Sequence, residues 1–316
     1  MAERNKRIGV LVMSYGTPES MDDVEAYYTH IRRGRPPEPE QLAELKARYE
    51  AIVGGVFPLR ENTNLQVSGL QDQLDKLAPN TYSCYQGLKH ARPYIEDGVS
   101  AMAQDGVTEA VGIVLAPHYS TMSVGSYVKR AQEKADELGV TMSFVESYHL
   151  HPKLLQALTD RVKDGLDRLK AAAGSEHEPL VLFSAHSLPE RIRELGDPYE
   201  QQLLETSKAV AEAAGVGRWQ FTWQSAGRTR EPWLGPDILE TMESLAKEGV
   251  KALLSAPIGF VSDHLEVLYD IDIEARAEAE KLGLTLERIA MLNRDPLYMQ
   301  TLADSVAEAA SDLRKD

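Results

Sequence analysis

Sulfur is scarce in this sequence, and that scarcity removes several chemistries at once. Cys84 is the only cysteine among 316 residues. An intramolecular disulfide, or an iron–sulfur cluster held by four cysteines of this chain, is therefore excluded. Its setting, Thr81-Tyr-Ser-Cys-Tyr, is strand-like, and a buried small side chain is expected there. No uninterrupted apolar run approaches the roughly 18 residues of a membrane span. The charged opening, Met-Ala-Glu-Arg-Asn-Lys-Arg, leads into a strand and does not read as a signal peptide. These features point to a cytoplasmic chain without a transmembrane segment. Basic residues are outnumbered, 34 against 49 acidic, for a net charge of −15. That balance disfavours nucleic acid as a partner, although local arginines can still hold an anionic small molecule. Four catalytic signatures are also missing: the G-x-S-x-G elbow, the Walker A loop, G-x-G-x-x-G and H-E-x-x-H. Their absence argues against an α/β serine hydrolase, a P-loop enzyme, a dinucleotide oxidoreductase and a zinc protease.

What is present is regular. With 43% hydrophobic residues the chain can bury a large core, and disorder is not expected. Short apolar runs alternate with amphipathic stretches. Strands are predicted at Ile8–Met13, Thr81–Gln86, Ala110–Ala116, Thr141–Val145, Leu180–Ser184, Trp219–Trp223 and Ala252–Ala256. Helical periodicity fills the intervals and continues over Asp263–Leu282 and Pro296–Leu313. Such alternation predicts βαβ units and parallel sheets, an α/β fold. The polar stretch Ala171–Pro179 suggests a linker between domains spanning 1–170 and 175–316, with the C-terminal helix free to pack back on the first.

An internal repeat supports two halves. Val12-Met-Ser-Tyr-Gly-Thr-Pro-Glu19 resembles Phe183-Ser-Ala-His-Ser-Leu-Pro-Glu190, and Ile113-Val-Leu-Ala-Pro117 resembles Leu253-Leu-Ser-Ala-Pro257, in the same order. The expected architecture is two Rossmann-like, doubly wound domains related by a pseudo-twofold repeat. Ligands of such sheets sit beyond the carboxyl ends of the strands, so a cleft between the halves is the expected site. The alignment sets Tyr15 against His186.

His186 lies between a strand and Ser187-Leu-Pro-Glu190, which has capping-box spacing. It is either a structural histidine or a group titrating near neutrality that accepts protons. Glu266, Asp270 and Glu274 are spaced four apart and predict an acidic ridge on one helix, with His264 and Asp272 on other faces. Such a ridge is by default a solvated face, and it also suits a path for hydrated cations. Asp263 with Glu266 has the spacing of a second capping box. The basic run Ile31-Arg-Arg-Gly-Arg-Pro36 caps a helix, or grips carboxylates together with Arg48-Tyr49. The hydroxyl-rich stretch from His118 to Tyr127 is a capped turn or a pocket wall. Two loop tryptophans, Trp223 and Trp233, pack on a core or on a flat ligand.

Together these stretches resemble the ferrochelatase family, in particular its soluble Gram-positive-type members. The matching segments include Leu11-Val-Met-Ser-Tyr-Gly-Thr-Pro, Tyr27-Tyr-Thr-His-Ile-Arg-Arg-Gly-Arg, Gly87-Leu-Lys-His, Ser184-Ala-His-Ser-Leu-Pro-Glu and Asp263-His-Leu-Glu-Val-Leu-Tyr-Asp. They run in family order from residue 8 to about residue 274. The resemblance implies insertion of Fe2+ into coproporphyrin III to give coproheme, with release of two pyrrole protons. It implies His186 and Glu266 as the catalytic, metal-handling pair, with Tyr15 facing the metal from the opposite side. It further implies Arg32, Arg48, Tyr49 and Tyr127 as porphyrin-binding residues, and Asp270 and Glu274 as an outer metal path. No resident cofactor is implied, since Fe2+ is a substrate; a monomer in transient contact with the next haem-pathway enzyme is expected. One departure stands out. Where relatives have Gly-Gly-Ile-Ser-Pro-Leu, this chain has Gly54-Gly-Val-Phe-Pro-Leu59, placing Phe57 where a serine would contact a propionate. Three rivals remain from the residues alone: a chelatase for another tetrapyrrole, a haem carrier, and a two-lobed binding protein.

Overall fold

The computed structural model describes residues 7–53, 57–174 and 176–313. Two sheets of four parallel strands organise it. The first takes β1 (Ile8–Ser14), β2 (Tyr82–Leu88), β3 (Glu109–Val114) and β4 (Thr141–Val145) in the order β2-β1-β3-β4. The second takes β5 (Leu180–His186), β6 (Trp219–Gln224), β7 (Ala252–Ala256) and β8 (Thr285–Arg288) in the order β6-β5-β7-β8. The two orders are identical strand for strand, so the internal repeat is a repeat of topology. Every residue of β1 and β7 is buried, as parallel strands covered on both faces require. The eighth strand has Leu286 as its one apolar residue, followed by Glu287 and Arg288, too little apolar signal to be read from sequence.

Helices cover both sheets. In the first half these are α1 (Val24–Ile31), α2 (Pro39–Val53), α3 (Pro58–Leu77), α4 (Ile95–Gln104) and α5 (Val124–Leu138). Then follow α6 (Pro152–Ala173), α7 (Tyr199–Ala214) and α8 (Ile238–Lys247). The chain closes with α9 (Leu265–Leu268), α10 (Arg276–Leu282) and α11 (Pro296–Asp312). Their ends follow local chemistry: Asp237 and Glu240 form a capping box on α8, and left-handed Gly139 ends α5. No helix among the described residues is long and apolar enough to cross a membrane.

Two compact units result. One runs to Tyr148 and resumes at Asn293; the other is His149–Leu292. The expected division after residue 170 therefore moves back to 148. The apolar face of α6 explains the shift: Leu154, Leu158, Val162 and Leu169 are buried, and Gly165 lies against Leu254 of β7. Arg168 also donates to the carbonyl of Arg288 at the end of β8. The polar stretch expected as a linker thus starts within α6 and falls inside the second unit. Helix α11 belongs to the first unit, where it packs on α3, β3 and β4. Its Tyr298 is fully buried, with a hydroxyl 3.0 Å from that of Tyr148.

The helix expected over Asp263–Leu282 is broken. After α9 the chain takes a π-helical turn, Asp270–Ala275, before α10 resumes. Helix α9 takes His264 and not Asp263 as its N-cap, and after β5 the Glu190 N–H donates to the Pro232 carbonyl in place of a capping box with Ser187. Helix α9 starts from His264 with no side-chain cap, and Ser187 instead donates to the Leu234 carbonyl. Residues Glu190–Ile192 form a short 3-10 turn. The thiol of Cys84, half-buried in β2, is pushed up to about 12 by burial and by Asp75.

Candidate active site

In the second unit the chemistry gathers at the carboxyl end of the sheet. His186 is the last residue of β5 and pairs in register with Gln224, the last of β6. The imidazole is fixed on both sides. Nδ1 lies in hydrogen-bond contact with the carbonyl of Ser187, so it donates, and Nε2 faces Glu266 Oε1 at 3.5 Å. The hydroxyl of Tyr199 donates to the His186 carbonyl at 3.1 Å. Beneath the pair, Ser184 donates to Gln224 Oε1 at 2.8 Å, and Gln224 Nε2 donates to the Glu266 carbonyl at 2.7 Å. The strand that carries His186 is thereby tied to the turn that carries Glu266.

His264 was not expected in this group. It is extended, with φ −160°, so its ring swings back over the first turn of α9. Its Nδ1 donates to the Ser262 carbonyl at 2.9 Å, and its Nε2 stands 3.6 Å from Glu266 Oε2. Glu266 therefore sits between two imidazoles. Phe260 packs against both rings, and Trp233 lies 6.3 Å from that of His186. The other tryptophan, Trp223, lies in β6 and not in a loop, and is core, packed on Phe221 and Tyr199.

The electrostatics follow from this placement. Burial disfavours the charged form of both groups, but their mutual attraction overrides it. His186 is pushed up to about 9, chiefly by the Glu266 charge, and Glu266 is held well below the usual carboxylate range by His186 and then His264. The resting state is an imidazolium–carboxylate pair. Each side chain is about one-third exposed, 33% and 32%, so the pair is recessed yet reachable.

The acidic ridge does not survive intact. The π turn rotates Asp270 inward, where it is buried and accepts a hydrogen bond from Ser225. Ser225 holds a left-handed backbone, φ +59°, a conformation that costs free energy in a non-glycine residue. Glu274 stays exposed. The two carboxylates thus stand in different environments rather than on one stripe.

The remaining expected residues belong to the first unit. Tyr15 follows β1 directly and is 42% exposed, its ring 4.6 Å from that of His90. Arg32 caps α1 and donates to Gln41 Oε1 at 3.1 Å. Arg48 is half-buried on α2, and the neighbouring Tyr49 is buried. The Tyr49 hydroxyl lies 3.4 Å from that of Thr17, and its ring packs on Phe57 at 4.8 Å. Phe57 is thus an apolar support for Tyr49; Gly54–Val56 lie outside the described residues. Tyr127 is buried on α5 beneath the ammonium of Lys89, 4.8 Å from its ring.

Lys89 and His90 had no role assigned from the sequence. Lys89 donates to the hydroxyl of Ser126 at 2.7 Å and is lowered to about 8 by burial, then by Arg130 and Arg33. His90 shares a 3.0 Å Nδ1 to Nδ1 contact with His30 and is lowered to about 3 by burial, then by Lys89 and His30. It is neutral at physiological pH. The signal that marks them is position: both directly follow the carboxyl end of β2.

The Ferrochelatase family model matches residues 7–310. A coproporphyrin III ferrochelatase of Bacillus subtilis is 48% identical over 304 residues, covering 95% of this chain and 97% of that protein. One of Geobacillus thermodenitrificans is also 48% identical, covering 95% of each, and a ferrochelatase of Herpetosiphon aurantiacus is 45% identical over 94% of this chain and 97% of that one. In fold, the chain resembles SirB from Bacillus subtilis solved with Fe3+, with a TM-score of 0.61 at 13% identity over 98% of both chains. The sirohydrochlorin chelatase SirB in complex with cobalt gives 0.59 at 12% identity, over 97% of this chain and 96% of that one. With a family model spanning nearly its whole length and relatives sharing almost half its residues, this chain belongs to the ferrochelatase family.

Proposed function

We propose that this protein inserts Fe2+ into coproporphyrin III, giving coproheme and two protons. The observation that carries the reading is the His186–Glu266 ion pair, recessed at the end of β5 and flanked by His264. Metal insertion must strip water from the ion and remove two N–H protons. An imidazolium already paired with a carboxylate has to lose its proton before it can bind metal or act as a base. An arriving cation does this: a second positive charge beside Glu266 lowers the pKa of His186 and expels its proton. His186 then holds the ion or accepts a pyrrole proton, while Glu266 binds the ion or takes the second proton. The two titrate as one unit.

In the first unit, exposed Tyr15 is the residue assigned to the metal. Arg32, Arg48, Tyr49 and Tyr127 hold the porphyrin and its carboxylates, and Lys89 adds a partly buried cation to that set. Four propionates on coproporphyrin suit so many fixed donors better than two on protoporphyrin. Asp270 and Glu274 serve as the outer metal path, the first through a site shared with Ser225. The reading needs no resident cofactor and places the reaction in the cytoplasm, carried out by a monomer that hands its product to the next enzyme.

The test is anaerobic incubation with Fe2+ and either porphyrin, following porphyrin loss spectroscopically. Coproporphyrin is expected to disappear first, and His186→Ala to lower turnover by at least about 100-fold with porphyrin binding retained. Near-parental turnover in that variant overturns the assignment of His186. Preference for protoporphyrin overturns the substrate.

A further inference from the structure

The segment from Asp263 to Glu274 carries five carboxylates, at positions 263, 266, 270, 272 and 274. Only Glu266 is aimed at His186. Crowded like charges repel, and nothing in the periodicity of a helix would turn one inward and its neighbours away. Arg288, at the end of β8, does the sorting. Its guanidinium grips Asp272 with both arms, Nε to Oδ1 at 2.8 Å and Nη2 to Oδ2 at 2.9 Å. The same Nη2 reaches Asp263 Oδ1 at 3.3 Å, and Nη1 donates to the Ile289 carbonyl at 2.9 Å. The side chain is only 14% exposed, so these bonds are made largely out of water.

Asp263 directly precedes His264, and Asp272 lies inside the π turn, two residues past Asp270. One guanidinium thus holds both ends of the stretch that contains His264, Glu266 and Asp270. It also neutralises Asp263 and Asp272, two of the four carboxylates not aimed at His186. The midpoint is held separately, by Gln224 on the Glu266 carbonyl. With ends and middle fixed, the Glu266 side chain has little freedom except toward the two imidazoles.

We propose that Arg288 is a positioning residue for iron insertion, fixing the Glu266 carboxylate for the metal by clamping Asp263 and Asp272. The inference rests on the proposed iron insertion and names the device that shapes its metal-handling side. It acts on the iron half of the reaction, because Arg288 bonds to Asp263, Asp272 and Ile289, none of them assigned to the porphyrin.

The experiment compares the parental protein with Arg288→Met, Arg288→Lys and Asp272→Asn. Rates are measured anaerobically with Fe2+ varied at saturating coproporphyrin III and the reverse, and porphyrin affinity by fluorescence quenching. Arg288→Met and Asp272→Asn are expected to lower kcat/KM for Fe2+ by about 10–100-fold, with porphyrin affinity within about twofold of the parent. Arg288→Lys keeps the charge but not the fork, and is expected to fall between. Should Arg288→Met not fold, Asp272→Asn decides, since it removes one charge from a side chain 29% exposed at nearly constant shape. Parental kinetics toward Fe2+ in a folded variant overturn the clamp, as does an equal loss toward both substrates. A parental protein that inserts no iron overturns the proposed function itself, an outcome read before any variant.

Discussion

Replacing Glu266 with glutamine removes one charge at nearly constant shape and isolates what that charge does to His186. The two groups stand 3.5 Å apart. At that separation opposite unit charges attract by about 1 kcal/mol in bulk water and about 5 kcal/mol at an effective dielectric of 20. At about 1.4 kcal/mol per pH unit, these limits correspond to roughly 1 and 3.5 units. Solvent reaches a third of each side chain, which screens the upper end of that range. The rise of His186 from 6.5 to about 9 falls within the bracket, and it occurs against a burial effect of opposite sign. In Glu266→Gln the burial effect remains while the main opposing charge is gone. His186 is therefore expected to titrate at or below 6.5, its ordinary value. At pH 7.5 its protonated fraction would drop from about 97% to under about 10%. The assay is a pH titration of the metal-free protein by NMR with labelled histidine, the His186 resonance being assigned by its loss in His186→Ala. A parental midpoint near 6.5, or a midpoint unmoved by Glu266→Gln, would refute the charge-pair account.

If iron and a proton compete for His186, the KM for Fe2+ at saturating porphyrin should fall about tenfold per pH unit as pH rises toward 9, then level off; a flat profile between neutrality and that point would show that no proton leaves His186. A Cβ on Gly259 would stand 2.8 Å from the Cα of Ala185 and closer still to its Cβ. Gly259→Ala should therefore destabilise the fold by about 1–3 kcal/mol, and an unchanged urea midpoint would count against that packing.

The fold was largely legible because parallel strands are dense in β-branched and aliphatic residues. Ile8–Ser14 and Ala252–Ala256 announce themselves, and so does the repeat that gives both sheets one strand order. Boundaries were less legible where the decision rests on which sheet a helix covers. Nothing in the amphipathic pattern of Pro152–Ala173 says that its apolar face meets Leu254 and not the preceding strands. The pairing of His186 with Glu266, separated by eighty residues, came from resemblance; no local pattern predicts a 3.5 Å contact at that range. His264 was hidden by assuming a continuous helix from Asp263, which would turn its ring away from Glu266. The π turn was hidden for the same reason, because it leaves the periodicity of Asp263–Leu282 nearly unchanged while adding one residue to a turn. Lys89 and His90 were within sight, immediately past β2, where two ionisable residues at a sheet's carboxyl end carry more information than their composition suggests.

The return of α11 to the first unit separates the order in which this protein is made from the order in which it can fold. The second unit is one unbroken stretch, His149–Leu292, and is complete as soon as it has been synthesised. The first unit has its whole sheet by Val145, yet the flank over α3, β3 and β4 stays open until Tyr298, Leu302 and Val306 arrive to bury it. On a ribosome adding about 5–20 residues per second, the roughly 150 residues between Tyr148 and α11 amount to some 7–30 s of waiting with apolar surface uncovered. The unit begun first is finished last.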